Sequence, residues 1–153
     1  MSFKNNHFIR VTKQFTFDMA HALYGYDGPC KNIHGHTYKL SVTLKGKVIE
    51  NPNHPKNGMV IDFTDFKRIV ADNIVSVFDH SLVLNSKAPY GDLKNLNENF
   101  ERINFVPYQP SCENLLIDFL NKISSKLPEG VTINSIKLEE TPTSYAEWYA
   151  EDN

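Results

Sequence analysis

Histidines at the ends of two alternating apolar runs constrain this chain more than any other feature. In the first run every second residue is apolar until the last, which is a histidine: Phe15, Phe17, Met19 and His21. The second run begins with two histidines and continues with apolar residues: His34, His36, Tyr38, Leu40, Val42 and Leu44. Residues two apart point to the same face of a β-strand, so each run predicts a half-buried strand. If the two strands pair antiparallel, the end of the first lies beside the start of the second and three imidazoles converge.

Three converging imidazoles predict a zinc site formed by His21, His34 and His36. Neutral imidazole suits zinc, and three protein ligands leave one coordination position for water or substrate, as in catalytic sites. Two other interpretations stay open. Cys30, four residues before His34, could be a fourth ligand that closes the shell and makes the site structural. The histidines could also be ordinary strand residues with polar partners.

The composition bounds the class of protein. A chain of 153 residues predicts a single domain over 1–153. The formal net charge of -2 gives no basic surface, so we expect no nucleic-acid partner. No apolar run approaches membrane-spanning length and the N-terminus lacks a signal-peptide core, which predicts a cytoplasmic protein with no membrane partner. Cys30 and Cys112 are the two cysteines, and both are expected to be free thiols.

The hydrophobic pattern predicts two strands, two helices and two strands, in that order. The strands are expected at about 8–21, 34–49, 131–140 and 145–150. Asp62 or Thr64 is expected to cap the first helix and Ser111 the second, although Asp62 could instead contact a ligand. This order is typical of an α+β domain with two helices on one face of an antiparallel four-stranded sheet. The segment 86–109 has few periodic features and is predicted to be a long connection or insertion, which could be a lid, an interface loop or a surface excursion.

Six motifs, in order and spacing, resemble the 6-pyruvoyltetrahydropterin synthase family. They are Phe17-Asp18-Met19-Ala20-His21, Cys30 with His34-Gly35-His36-Thr37-Tyr38, Gly58-Met59-Val60-Ile61-Asp62-Phe63, Asp79-His80, Pro110-Ser111-Cys112-Glu113-Asn114 and Glu140-Thr141. The resemblance extends over nearly the whole chain. The four-residue step from Cys30 to His34 is shorter than is typical of the eukaryotic pyruvoyl-forming enzymes. It is similar to that of the bacterial 6-carboxytetrahydropterin synthases of queuosine biosynthesis.

The resemblance implies both an architecture and a reaction. The architecture is the tunnelling fold (T-fold), whose subunits close their sheets into trimeric barrels that stack as a homo-hexamer. The reaction is a zinc-dependent lyase reaction on 7,8-dihydroneopterin triphosphate, which gives 6-carboxy-5,6,7,8-tetrahydropterin, acetaldehyde and triphosphate. A 6-pyruvoyltetrahydropterin synthase, which eliminates triphosphate, is the alternative within the family. A non-catalytic zinc-binding or pterin-binding module is the alternative outside enzymes.

The resemblance also assigns roles to four residues outside the metal site. Cys30 lies in a loop just before two ligands, where a bound zinc ion would favour its thiolate, and is the candidate general base. Asp79 and His80 match a proton relay of the family. Glu140 matches a glutamate that anchors the pterin and takes part in the relay, because a carboxylate can accept the two-donor edge of the ring.

Two further residues are left with open roles. Glu139 has the opposite strand parity to Glu140, and a one-residue slip would exchange their roles. Cys112 could have a lowered pKa near a helix start, or could be a packing residue.

Overall fold

The computed structural model describes residues 3, 5–90 and 95–153. Six strands form one sheet: β1 (Ile9–His21), β2 (His34–Gly46), β3 (Ser81–Asn85), β4 (Ile103–Val106), β5 (Thr132–Thr141) and β6 (Ser144–Tyr149). Their order across the sheet is β4-β3-β1-β2-β5-β6. Strands β1, β2, β5 and β6 pair antiparallel, whereas β3 joins β1 and β4 joins β3 in parallel.

Two N-capped helices pack on one face of this sheet. Helix α1 (Phe63–Val70) continues through a π-helical turn (Ala71–Val75) into α2 (Ser76–Phe78), and the other α-helices of the described residues are α3 (Leu96–Asn99) and α4 (Cys112–Ser124). A carboxylate oxygen of Asp62 accepts the Thr64 N–H at 2.7 Å, and the Ser111 hydroxyl accepts the Asn114 N–H at 3.3 Å. Both predicted capping positions are therefore confirmed, with Asp62 rather than Thr64 at the first helix. Among the described helices, none has the length and apolar character needed to cross a bilayer.

The α+β T-fold class is confirmed, but the number of strands predicted from the sequence is wrong. The structure adds β3 and β4 beside β1, so the sheet is mixed rather than purely antiparallel. The segment 86–109 contains α3 and β4, so it is more than a connection, and its residues 91–94 lie outside the described part. Strand β2 ends at Gly46 rather than near residue 49, because the backbone of Ile49 pairs with Gly58 and Met59 instead.

The core lies between the helices and the sheet face that carries the histidines. Alternate residues of the central strands are buried there against helix residues, including Phe17, Tyr38, Leu40, Leu138, Phe66, Ile74, Leu115 and Phe119. The antiparallel pairing of β1 with β2 is confirmed, with His21 opposite His34 and Met19 opposite His36. The three histidines therefore extend the apolar core face to the end of the strands.

Candidate metal and catalytic site

The strand register brings the three predicted metal ligands together. Nε2 of His21 lies 3.0 Å from Nε2 of His34. The ring centroid of His36 lies 5.3 Å from that of His21 and 5.0 Å from that of His34. One potential ligand atom from each histidine lies within 4.8 Å of the others. The geometric convergence expected from strand alternation is thus present.

In His21 and His34, a hydrogen bond to a backbone carbonyl determines which ring nitrogen is left to bind a metal. Nδ1 of His21 lies 2.7 Å from the carbonyl oxygen of Pro110, and Nδ1 of His34 lies 2.8 Å from that of Asn32. A carbonyl oxygen only accepts, so each Nδ1 carries the proton and each neutral ring presents a bare Nε2 lone pair. Sequence reasoning missed these two contacts, because a backbone carbonyl has no residue-type signature.

The donor set fits a cation shared by the three rings. Two facing Nε2 lone pairs at 3.0 Å repel each other unless a positive charge lies between them. Nε2 of His36 is buried and has no hydrogen-bond partner among the described residues, which is costly for a polar atom. Burial lowers the pKa of His21 and of His36, so both are neutral at pH 7, the form that binds a metal.

Cys30 and Glu140 lie with His21 along one cavity of about 280 Å³. Cys30 is in a 3-10 turn (Pro29–Lys31). Glu140 places Oε1 3.7 Å from Nε2 of His36 and Oε2 4.0 Å from Nε2 of His21. The carboxylate therefore faces the histidines, as the parity of β5 predicts.

The alternation of β5 separates the two adjacent glutamates. Ile136 and Leu138 are buried in the core, and Glu140 continues their parity. Glu139 pairs with Lys39 of β2, and both belong to the opposite face of the sheet. No register slip exchanges the two glutamates.

Cys112 lines the same cavity as Cys30, and its thiol contacts a backbone carbonyl. Its Sγ lies 3.3 Å from the carbonyl oxygen of Leu138. Burial raises the pKa of the Cys112 thiol to about 11, and the charge of Glu140 adds to this. The lowered pKa considered for a helix start is thus not found, because desolvation outweighs the helix end. The packing interpretation fits this protonated thiol.

Tyr38 is a buried neighbour of the metal ligands that sequence reasoning assigned only to the core. Its ring centroid lies 5.6 Å from that of His36 and 6.2 Å from that of His21. Burial raises the pKa of Tyr38, with a further contribution from the Glu140 carboxylate, so its hydroxyl keeps its proton. The signal that could have found it is its position two residues after His36 on the same strand face.

Asp79 and His80 form a hydrogen-bonded pair at the other face of the sheet. Oδ2 of Asp79 lies 2.9 Å from Nδ1 of His80. The backbone of Asp18 holds both residues: its N–H donates to Oδ1 of Asp79 at 3.0 Å, and its carbonyl accepts the His80 N–H at 2.7 Å. The Asp18 carboxylate accepts the Thr37 hydroxyl at 2.6 Å, and both residues have the opposite parity to the histidines.

His80 is exposed and Asp79 is half-buried, and among the described residues no hydrogen bond joins either to His21, His34 or His36. His80 has a positive φ of 57°, a left-handed conformation that is uncommon outside glycine. Its side chain is 73% exposed and lines a second cavity of about 830 Å³, whereas Cys30 lines the smaller one. Within residues 5–90 and 95–153, no hydrogen bond joins Asp79 or His80 to Cys30.

Fold and site together define a class of protein: an α+β domain with three imidazoles that could hold a metal ion, next to a thiol and a carboxylate in one cavity. The sequence model described as 6-pyruvoyl tetrahydropterin synthase matches residues 10–151. This chain belongs to the 6-pyruvoyl tetrahydropterin synthase family.

Named relatives and solved structures agree with this membership. A 6-carboxy-5,6,7,8-tetrahydropterin synthase of Haemophilus influenzae is 38% identical over 141 residues, covering 91% of this chain and 97% of the relative. A putative enzyme of the same name from Archaeoglobus fulgidus is 32% identical over 132 residues, covering 86% and 88%. The uncharacterized protein WS1659 from Wolinella succinogenes has a TM-score of 0.73 at 22% identity, covering 95% of this chain and 99% of that one. The 6-pyruvoyl tetrahydropterin synthase of Caenorhabditis elegans has a TM-score of 0.67 at 22% identity, covering 97% and 99%, and supports the fold.

Proposed function

We propose that this chain is a zinc-dependent 6-carboxy-5,6,7,8-tetrahydropterin synthase of queuosine (7-deazaguanine) biosynthesis. It would act as a carbon–oxygen and carbon–carbon lyase on 7,8-dihydroneopterin triphosphate, giving 6-carboxytetrahydropterin, acetaldehyde and triphosphate. The observation that carries this proposal is the cavity that Cys30 and Glu140 share with His21. The name of the 38% identical relative favours the carboxy product over the pyruvoyl product.

His21, His34 and His36 would hold the zinc ion. When bound there, zinc would stabilise negative charge on the substrate's side-chain oxygens while a neighbouring carbon loses its proton. The hydrogen bonds from Nδ1 of His21 and of His34 to backbone carbonyls support this role, because they fix the tautomer that ligates through Nε2.

Cys30 and Glu140 would have different roles in the smaller cavity, one in proton abstraction and the other in binding the pterin ring. The Cys30 thiolate would take the proton from the side-chain carbon of the substrate. The Glu140 carboxylate would accept the amino group and the adjacent ring N–H of the pterin, which fixes the orientation of the ring. Binding the ring at Glu140 would bring the side chain of the substrate toward the histidines, because both carboxylate oxygens lie within about 4 Å of an imidazole nitrogen.

Asp79 and His80 would serve as the proton relay. Asp79 accepts from Nδ1 of His80, which leaves Nε2 free to take up a proton. Because the pair lies at the opposite face from Cys30, it would act on a neighbouring copy in a homo-hexamer of two trimers. Mixed assemblies of Cys30→Ala and His80→Ala subunits should then recover turnover that neither variant has alone.

Product analysis tests the proposed reaction. Zinc-loaded protein is incubated anaerobically with 7,8-dihydroneopterin triphosphate, and the pterin product is identified by mass. A 6-carboxy product with acetaldehyde supports the proposal, whereas a pyruvoyl product assigns the chain to the 6-pyruvoyltetrahydropterin synthases. Full zinc occupancy and bound pterin without turnover would instead support a non-catalytic binding module.

Replacing Cys30 by alanine tests the role of the thiol. Loss of turnover with zinc retained supports the general base, and loss of zinc supports a fourth ligand that closes a structural site. Cys112→Ala is the matched control for zinc content, since it removes the second thiol of the same cavity. We expect both variants to retain zinc.

A further inference from the structure

The loop 22–33 between β1 and β2 carries Cys30 and has hydrogen bonds between its own backbone groups. The Leu23 N–H donates to the carbonyl of Cys30 at 3.0 Å, and the Tyr26 N–H donates to the carbonyl of Leu23 at 3.2 Å. Residues 24–27 are exposed, so this half of the loop gains little from burial. The position of Cys30 therefore depends on what holds Leu23 and Tyr24 from outside.

Two side chains of the segment 86–109 hold this loop. Nε2 of Gln109 donates to the carbonyl of Tyr24 at 2.8 Å. The ring of Tyr24 meets that of Tyr90 edge to face, with centroids 5.8 Å apart and an interplanar angle of 77°. Gln109 is itself fixed, because its carbonyl accepts the Ser111 N–H at 2.8 Å and the Asn114 side-chain amide at 3.0 Å.

The same stretch also reaches the metal site. Pro110, next to Gln109, supplies the carbonyl that accepts from Nδ1 of His21. Gln109 and Pro110 thus contact the Cys30 loop and a predicted zinc ligand from a single anchored piece of chain. A displacement of about 1 Å at a reacting group can cost about 100-fold in rate, so such a brace has a catalytic consequence.

We propose that Gln109 and Tyr90 are positioning residues that hold the Cys30 loop for proton abstraction. This rests on the proposed function, in which Cys30 is the general base. It also gives two residues of the segment 86–109 a role within the chain, because Tyr90 and Gln109 brace the Cys30 loop. Gln109 holds the loop through its Nε2, which donates to the Tyr24 carbonyl. Its Oε1 is buried and has no hydrogen-bond partner in the described residues.

Gln109→Met tests the hydrogen bond, because methionine keeps the length of the side chain and removes the donor. We expect kcat to fall about tenfold and KM to change less than about twofold, because the pterin contact at Glu140 is untouched. The zinc content should not change, because the carbonyl of Pro110 is retained. Gln14→Met is the matched control, since Gln14 donates to Ser41 on the exposed face of the sheet, away from the loop.

The aromatic contact is tested by a pair of substitutions at Tyr90. Tyr90→Leu removes the ring that meets Tyr24, and kcat should fall as in Gln109→Met. Tyr90→Phe keeps the ring and should restore kcat to within about twofold of the wild type.

Hydrogen exchange of the Leu23 amide measures how firmly the Cys30 loop is held, independently of turnover, because this amide donates to the Cys30 carbonyl. Exchange should be faster in Gln109→Met and Tyr90→Leu, and unchanged in Tyr90→Phe and Gln14→Met. Unchanged exchange, or unchanged kcat, in Gln109→Met and Tyr90→Leu would overturn the proposal. Full turnover by Cys30→Ala would refute the base assigned in the proposed function, while the exchange data would still report on the brace.

Discussion

Replacing Asp79 by asparagine tests the relay with almost no change of shape. In the wild type Oδ1 accepts the Asp18 N–H at 3.0 Å, and Oδ2 accepts from Nδ1 of His80 at 2.9 Å. The Asp18 N–H, with a smaller contribution from His80, holds the pKa of Asp79 below its usual value, so the carboxylate stays ionised at neutral pH. In the variant, the asparagine amide can turn its NH₂ toward His80, and Nδ1 must then accept. The proton moves to Nε2, the atom that the relay needs free.

The expected loss has two parts. A hydrogen bond to a charged group contributes about 1.5–3 kcal/mol, and the lower end applies because His80 is 73% exposed. That is about tenfold in rate, at about 1.4 kcal/mol per factor of ten. The inverted tautomer adds to this, since the same exchange in a Ser-His-Asp triad costs about 10⁴ in kcat. We expect kcat to fall by at least about tenfold, from the hydrogen bond alone, and by at most about 10⁴, as in the triad, while Tm falls by less than about 3 °C because Oδ1 of asparagine still accepts the Asp18 N–H.

The assay is steady-state product formation by zinc-loaded protein at saturating substrate. Asp118→Asn is the matched control, because Asp118 accepts the Tyr108 hydroxyl at 2.7 Å and lines neither cavity. If the two variants had kcat values within about twofold of each other, both being folded, the relay assigned to Asp79 and His80 would be refuted.

Three further substitutions give separate readouts. His34→Ala should lose zinc, measured by metal analysis of purified protein, whereas the exposed His54→Ala should retain it; equal zinc content in both would contradict the ligand assignment. Phe119→Ala removes a fully buried ring that packs against two other aromatic rings and should lower the free energy of unfolding in urea by about 3–5 kcal/mol; a loss under about 1 kcal/mol would contradict this packing. The hydrogen bond from Lys56 lowers the pKa of Asp62 from its ordinary 3.8. The ionised Asp62 carboxylate therefore stabilises the fold above pH 3.8, and this stabilisation is lost as the pH falls through the lowered pKa of the folded state. The difference in Tm between the wild type and Asp62→Asn should therefore shrink below about pH 4, and a constant difference would contradict it.

The convergence of the histidines could be predicted from the sequence because it needs only local rules. Alternation assigns the face of each residue, and antiparallel pairing of consecutive strands brings His21 opposite His34. The capping positions Asp62 and Ser111 are also local, since one side chain bonds a backbone N–H two or three residues later.

Strands β3 and β4 could not be predicted in the same way. They have five and four residues, and runs this short carry no periodicity that separates a strand from a loop. Their parallel pairing depends on partners distant in sequence: Met19 pairs with Ser81, and Leu82 with Ile103. The position of Asp79 and His80 beside Asp18 follows from this pairing, because β3 starts directly after His80 and Ser81 pairs with Met19.

The side chains of β1 point alternately to the two faces of the sheet. This alternation explains why the proposed general base and the proposed relay pair lie apart within one chain. His21 points to the core face, while Asp18, of opposite parity, braces Asp79 and His80 through its backbone. One chain therefore carries Cys30 and His21 along the smaller cavity and the proposed relay residue His80 along the larger one, which His36 also lines. Strand β3 pairs with β1 only over residues 19–21, and Asp79 and His80 bond the backbone of Asp18, which leaves residues 9–17 of β1 without a strand partner on that side in the described chain. An open backbone edge of this length favours strand pairing with another copy, and the proposed hexamer would use it to bring the relay of one subunit to the thiol of the next.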